Sequence, residues 1–166
     1  MEKKRLVIIE GINKAGKTTY IKENFKSEPV IKLPCLFLKD NVRDLMNDEN
    51  APIYVPLLIA EHIAVLEILL RRENNESVVL DRSFISFFVY QNMYINFEND
   101  NIKYLLYLIE RLKKEYDIKV FLFLNKKTKT VDENDEIEKM EYGNLEYYKN
   151  QFEHCCDKLG LEYELQ

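Results

Sequence analysis

Short apolar runs alternate with longer segments of helical periodicity along the chain. The runs are rich in β-branched residues and predict strands at residues 6–10, 30–32, 77–81, 119–124 and, as an edge strand, 161–165. Helical patterns lie between them, at residues 18–26, 40–48, 52–74, 84–97, 101–116 and 143–159. Continuous apolar strands that alternate with helices form parallel sheets covered on both faces. The pattern therefore predicts an α/β fold with three layers and a five-stranded, mostly parallel sheet.

Two segments stand out from this alternation. Residues 126–135 are polar and are predicted to form a mobile loop. Residues 52–74 contain too many apolar positions for one narrow helical stripe, so this helix is predicted to be buried on more than one side. Its apolar residues include Leu58, Ala60, Ile63, Leu66, Ile68 and Leu70.

Length, charge and cysteine content limit the classes of protein to which the chain can belong. A chain of 166 residues is expected to form one domain. Its net charge of -5 argues against binding to bulk nucleic acid, which usually requires a basic face. No apolar run is long enough for a signal peptide or a membrane span, which predicts a cytoplasmic protein that does not enter the membrane. Cys35, Cys155 and Cys156 lack metal-ligand spacing and are expected to be free thiols.

A phosphate-binding loop is the clearest motif in the sequence. It fits the pattern G-x-x-x-x-G-K-[ST] without a mismatch, from Gly11 to Thr18, between a predicted strand and a predicted helix. Gly11 and Gly16 allow the backbone to wrap closely round a phosphate, and successive N–H groups then point inward. Lys17 is positioned for the β- and γ-phosphates, and the Thr18 hydroxyl for Mg²⁺. The motif predicts that the protein binds a nucleoside triphosphate.

An acid ends the third predicted strand, and an arginine follows it. Asp81 ends this strand, and in proteins with such a loop an acid at this point holds Mg²⁺ together with the loop hydroxyl. Arg82 comes next, at the carboxyl end of a parallel strand, where ligands of open α/β sheets bind. Its planar guanidinium suits a phosphate group. Thr18 and Asp81 are therefore the predicted metal ligands.

These residues together resemble the thymidylate kinase family. Residues 10–19, Glu-Gly-Ile-Asn-Lys-Ala-Gly-Lys-Thr-Thr, are similar to the phosphate loop of that family. Asp81-Arg82-Ser83, with Ser86 and with Gln91 further on, resembles its second conserved segment. The resemblance extends over most of the chain and implies a single P-loop kinase domain over residues 1–166, with a short lid around residues 126–140.

The resemblance also implies an activity and roles for individual residues. It implies an ATP-dependent phosphotransferase that transfers the γ-phosphoryl group of ATP to a small-molecule acceptor, a deoxynucleoside monophosphate, with Mg²⁺ as cofactor. The implied catalytic residues are Lys14, Lys17, Asp81 and Arg82. The implied nucleotide-binding residues are Gly11, Asn13, Lys14, Ala15, Gly16, Lys17, Thr18 and Thr19. The implied acceptor-binding residues are Asn13, Arg43, Ile59, Arg82, Ser86 and Gln91.

Lys14 is a basic residue inside the loop, as in members of the family that lack a catalytic arginine in the lid. The segment 126–135 contains no arginine, so Lys14 is predicted to supply the extra positive charge that phosphoryl transfer requires. Lys126, Lys127 or Lys129 are candidate helpers, and a solvated run of charges is the alternative for these three lysines.

Other positions differ from the family and leave the acceptor base open. Asn13 replaces the aspartate that meets the acceptor sugar, Ile59 replaces the aromatic residue that stacks on thymine, and the base-reading arginine falls near Ile63. Glu61 and His62 either read a different base or are simply exposed. The sequence does not therefore predict thymine specificity.

Three other functions remain as alternatives. The Asp-Arg-Ser segment is also similar to that of deoxynucleoside kinases, in which the acid is the general base for a 5′-hydroxyl. A switch or motor NTPase is disfavoured because Asn125-Lys126 matches a base-reading NKxD sequence without its aspartate. A kinase-like protein that binds nucleotide without catalysis is the third. Related kinases are often dimers, and the helix at 53–70 is either a homodimer face or part of the core.

Overall fold

Five parallel strands form the centre of the structure, a computed structural model that describes residues 3–32, 60–61, 63–68, 70–71, 77–90, 103–127 and 136–166. The strands are β1 (Lys4–Gly11), β2 (Val30–Lys32), β3 (Ser77–Asp81), β4 (Tyr116–Phe123) and β5 (Tyr163–Leu165), in the order β2-β3-β1-β4-β5. Every strand pair is parallel. The predicted α/β fold and five-stranded sheet are confirmed.

Six helical segments lie within the described residues. They are α1 (Lys17–Asn24), α2 (helical at 60–61, 63–68 and 70–71), α3 (Phe84–Tyr90), α4 (Lys103–Glu115), α5 (Glu136–Gly143) and α6 (Leu145–Leu159). The predicted helix at 40–48 and the loop residues 128–135 lie outside the described residues. So do residues 91–97 of the predicted helix at 84–97.

Several predicted boundaries were wrong by two or three residues, among them those of the helix at 143–159 and of β4. The single helix predicted at 143–159 is part of a pair, because α5 ends at Gly143 and α6 begins at Leu145. β4 begins at Tyr116, where the sequence predicted the end of a helix. Tyr116 is buried and pairs with Lys4 of β1, and this long-range pairing overrides the local helical pattern.

The core is built around β1, the middle strand. Its residues from Leu6 to Ile9 are fully buried, because helices cover both faces of a parallel sheet. The apolar run that predicted this strand is therefore explained by burial against helices on both faces of the sheet.

In the part of α2 that the structure describes, the buried residues lie on one face, so the prediction of burial on more than one side is wrong there. Ala60, Ile63, Leu66 and Leu70 are buried at helical spacing, whereas Ile68 is 53% exposed. Arg111 of α4 donates to Glu67 at 2.9 Å and holds α2 beside α4.

Helix α6 completes the core against α3. Its buried residues include Phe152, Cys155 and Cys156, and both cysteines are free thiols as predicted, while Cys35 lies outside the described residues. Among the helices that the structure describes, none combines the length and the apolar composition that a membrane crossing requires.

Candidate functional site

The loop of residues 11–18 connects β1 to α1 at the carboxyl end of the sheet. Gly11 and Gly16 have φ of 121° and 98°, a backbone region that glycine enters without strain. A Cβ on Gly11 would lie only 2.2 Å from the carbonyl oxygen of Phe123, and Ile12 N–H donates to that same oxygen at 3.0 Å. The loop therefore starts in direct backbone contact with β4, and only glycine fits its first position.

Lys17 is buried beneath the loop. Its Nζ donates to the carbonyl oxygen of Gly11 at 2.9 Å and also to that of Ile12. Burial, reinforced by the positive charge of Arg82, lowers the pKa of Lys17 from 10.5 to about 7, although Glu10 and Glu141 act in the opposite direction. A bound anion would therefore stabilise the charged form of Lys17 against the cost of its burial.

Arg82 also contacts the loop. Its backbone has φ of 70°, and its N–H donates to Ile9 of the neighbouring strand at 3.0 Å. The guanidinium donates to Gly11 O at 3.3 Å, to Ser86 Oγ at 3.1 Å and to Asn13 Oδ1. Within the described part of the chain, the non-glycine residues with positive φ are Lys14 and Arg82. Strained backbone is thus concentrated at this site.

Asp81 lies at the end of β3, beside the end of β1. It is paired in register with Ile9, so its carboxylate lies on the strand next to the loop. The side chain is 13% exposed, and one carboxylate oxygen is 3.9 Å from Lys32 Nζ. Thr18, in the first turn of α1, is exposed. Hydroxyl and carboxylate oxygens of this kind are suitable ligands for Mg²⁺.

Glu10 joins the loop to the segment that carries Arg82. Its side chain is fully buried and accepts five hydrogen bonds. The donors are Gly11 N at 3.3 Å, Ser83 N at 2.5 Å, Ser83 Oγ at 2.9 Å, Ser86 N at 3.2 Å and Ser86 Oγ at 2.7 Å. Glu10 was missed as a functional candidate, although an acid at the end of a buried strand was a visible signal.

Glu141 brings α5 into contact with the loop. This fully buried carboxylate accepts from Asn13 N–H, at 2.9 Å to one oxygen and 3.2 Å to the other, and from the Tyr90 hydroxyl. Lys126 Nζ is 3.9 Å away. Burial, first of all, and the nearby Glu141 raise the pKa of Tyr90 well above its usual value, so Tyr90 remains a donor. No local pattern could have identified Glu141, because its partner Asn13 is 128 residues away in the chain.

The segment that follows β4 crosses the loop. Lys127 N–H donates to Lys14 O at 3.0 Å. A Cβ on Gly16 would lie 2.7 Å from Lys127 Nζ, so this side chain rests on the loop. The structure thus brings Lys126 and Lys127 to the site, while Lys129 lies outside the described residues.

The predicted site residues fall into three groups. Asn13, Lys17, Arg82 and Ser86 form one bonded cluster with the loop backbone, and Ser86 in it is buried. Others lie on the same loop or at its rim, with Ala15 buried and Lys14, Thr18 and Thr19 exposed. Arg43, Ile59 and Gln91 lie outside the described residues, and so does His62.

Solved structures resemble the chain over nearly its whole length. The YorR protein from Bacillus subtilis, in complex with phosphorylated GDP, has a TM-score of 0.55 and 15% identity over 97% of this chain and 84% of that chain. A thymidylate kinase from Ehrlichia chaffeensis has a TM-score of 0.47 and 17% identity over 99% of this chain and 93% of its own. A thymidylate kinase from Candida albicans has a TM-score of 0.48 and 16% identity over 99% of this chain and 83% of that chain.

These likenesses concern the fold, since the chain matches no protein-family model and no curated protein sequence. The likeness to the YorR protein, at a TM-score of 0.55, is a likeness of fold. The predicted α/β fold, with a glycine loop between the first strand and the first helix, is confirmed.

Proposed function

We propose that the protein is a nucleotide kinase that transfers the γ-phosphoryl group of ATP to a deoxynucleoside monophosphate. One observation supports this proposal: two basic side chains bind the same loop, Arg82 through Gly11 O and Asn13 Oδ1, and Lys17 through Gly11 O and Ile12 O. Two cations that flank one loop provide separate partners for a donor and an acceptor phosphate.

Each cation has a distinct part in the proposed reaction. The loop amides and Lys17 would hold the β- and γ-phosphates and stabilise the charge that spreads over the transferring group. Arg82 would hold the acceptor phosphate in line with it, and its bonds to Asn13 and Ser86 fix its orientation in advance. Lys14 stays a proposed catalytic residue, exposed at the rim of the loop, with Lys127 beside it.

Mg²⁺ is the proposed cofactor, and the donor set fits it. Thr18 and Asp81 offer oxygen ligands at the end of the loop and on the adjacent strand. When bound, the metal would neutralise part of the phosphate charge. Lys17 and Arg82 would orient the two substrates, and closure of the lid would exclude water.

The direct test is a transfer assay with MgATP and each deoxynucleoside monophosphate, together with all deoxynucleosides. We expect ADP to form at an appreciable rate only when one of the monophosphates is present. Transfer to a deoxynucleoside alone would instead support a deoxynucleoside kinase. Hydrolysis that does not depend on any acceptor, or binding of ATP without transfer, would contradict the proposal.

The lowered pKa of Lys17 predicts proton uptake when a triphosphate binds. At pH 8 a lysine with a pKa of about 7 is mostly neutral, and a bound polyanion favours its charged form. We expect uptake of about one proton at pH 8 and much less at pH 6, with affinity falling by up to about tenfold per pH unit well above pH 7. Calorimetry in HEPES and in Tris, which differ in ionisation enthalpy, measures this uptake. Equal apparent enthalpies at pH 8 would contradict it.

A further inference from the structure

The carboxylate of Glu141 contacts the loop that is proposed to bind phosphate groups, at the Asn13 N–H. Glu141 is fully buried and lies on α5, outside the phosphate-binding loop. Its carboxylate accepts a hydrogen bond from a backbone N–H of that loop. Structural carboxylates of this kind are rarely buried unless they are bonded or paired. Glu141 meets this condition, so its partners show which groups stabilise an anion at this position.

The partners of Glu141 are those that a phosphoryl group would use. They comprise the Asn13 N–H, the Tyr90 hydroxyl and the Lys126 ammonium at 3.9 Å. Lys17 and Arg82 add to the positive potential, since Glu141 interacts electrostatically with Lys17, and Asn13 bonds to Arg82 through its side chain. Amide, hydroxyl and ammonium donors converging in this way form an anion site.

We propose that Glu141 is an internal counter-ion that occupies part of the phosphoryl site in the free protein and competes with the phosphate groups of the substrate. The inference rests on the proposed function only in so far as the loop binds phosphate groups, and it is independent of the acceptor. A carboxylate and a phosphoryl group close together repel each other in a partly buried site. Binding of a polyphosphate therefore has to displace Glu141 and loosen α5 from the loop.

Competition between Glu141 and phosphate groups predicts the opposite of what is expected if Glu141 only positions Asn13. Replacing Glu141 with Gln keeps the shape of the side chain but removes its charge, so a larger fraction of the free protein is ready to bind phosphate. We expect the Kd for inorganic tripolyphosphate with Mg²⁺ to fall by about tenfold. If Glu141 merely positioned Asn13 for binding, the same substitution would leave the affinity unchanged or weaken it.

The matched control is Glu146→Gln. Glu146 lies in the first turn of the next helix, α6, is exposed, and accepts a hydrogen bond from Lys149 at 3.0 Å. This substitution changes the net charge by the same amount, so its affinity for tripolyphosphate should equal that of the unchanged protein. An equal gain in both variants would overturn the inference, because it would reflect net charge alone.

A second measurement uses the unchanged protein, so that it does not depend on how well Glu141→Gln folds. Hydrogen exchange of the amides of α5 should become faster when tripolyphosphate binds, because its contact with the loop is lost. Slower exchange there, or no gain in affinity for Glu141→Gln, would overturn the competition. Neither readout involves phosphoryl transfer, so the kinase proposal stands or falls separately in the transfer assay.

Discussion

Replacing Lys17 with Met is expected to reduce phosphoryl transfer by at least about a thousandfold, because it removes the buried cation of the phosphate-binding loop. Lys17 Nζ now bonds to the carbonyl oxygens of Gly11 and Ile12 inside the curve of the loop. A neutral thioether cannot replace this cation in stabilising the charge that develops on the transferring group. Initial rates with MgATP and the best acceptor of the transfer screen measure the loss.

The same substitution should leave the free protein folded and more stable at low pH. The folded-state pKa of Lys17, about 7, is below its ordinary value of 10.5, so the unfolded chain binds the proton more tightly. The burial of charged Lys17 therefore costs stability in full below pH 7, and the cost disappears as the pH rises from 7 towards 10.5. At pH 6 the Met variant should melt a few degrees above the unchanged protein.

Lys22→Met is the matched control for both measurements. Lys22 lies on the same helix, α1, but is exposed, so its loss should leave transfer and melting temperature nearly unchanged. Retained transfer in Lys17→Met, or equal loss in both variants, would show that the loop does not work through Lys17.

The loop was predictable because its information is local. Gly11, Gly16 and Lys17 are specified by spacing within eight residues, and the strand and helix on either side follow from their own periodicity. Arg82 was predictable one step further, since carboxyl ends of parallel strands meet at one edge of a sheet. Both predictions require only the order of elements, and the sheet confirms that order.

What the sequence could not predict depends on contacts between distant segments. Glu141 meets Asn13 only because α5 folds back over the loop, and the residue order does not specify that approach. The local pattern at Tyr116 is helical, and its place in a strand depends on the register between β1 and β4, which the sequence does not specify. The lowered pKa of Lys17 likewise depends on burial in the folded chain.

Glu10 marks the boundary between these two kinds of information. Its position before the loop was visible, and the resemblance to a kinase family included it, but its partners Ser83 and Ser86 became adjacent only through the pairing of β1 with β3. The structure thereby gives this acid a role that the motif alone did not: it fixes the segment carrying Arg82 relative to the loop.

Replacing Glu10 with Ala is therefore expected to destabilise the protein by about 3–5 kcal/mol, because it removes one partner from a fully buried, charged network. The backbone N–H groups of Gly11, Ser83 and Ser86 lose an acceptor where water does not reach. Urea denaturation measures the change in free energy of unfolding. Glu10→Gln keeps one carbonyl acceptor and should lose roughly half as much.

Phosphoryl transfer should also fall in the Glu10 variants. This loss can be measured separately from the loss of stability. Without Glu10, Arg82 keeps its own bonds to Gly11 and Asn13 but the backbone on which it sits is no longer fixed. We expect the KM for the acceptor to rise more than the KM for ATP in Glu10→Gln, measured where that variant is still fully folded. Glu23→Gln, an exposed acid on α1, is the control and should change neither. An equal rise in both KM values would contradict a specific effect on Arg82, because it would mean that Glu10 supports the loop as a whole.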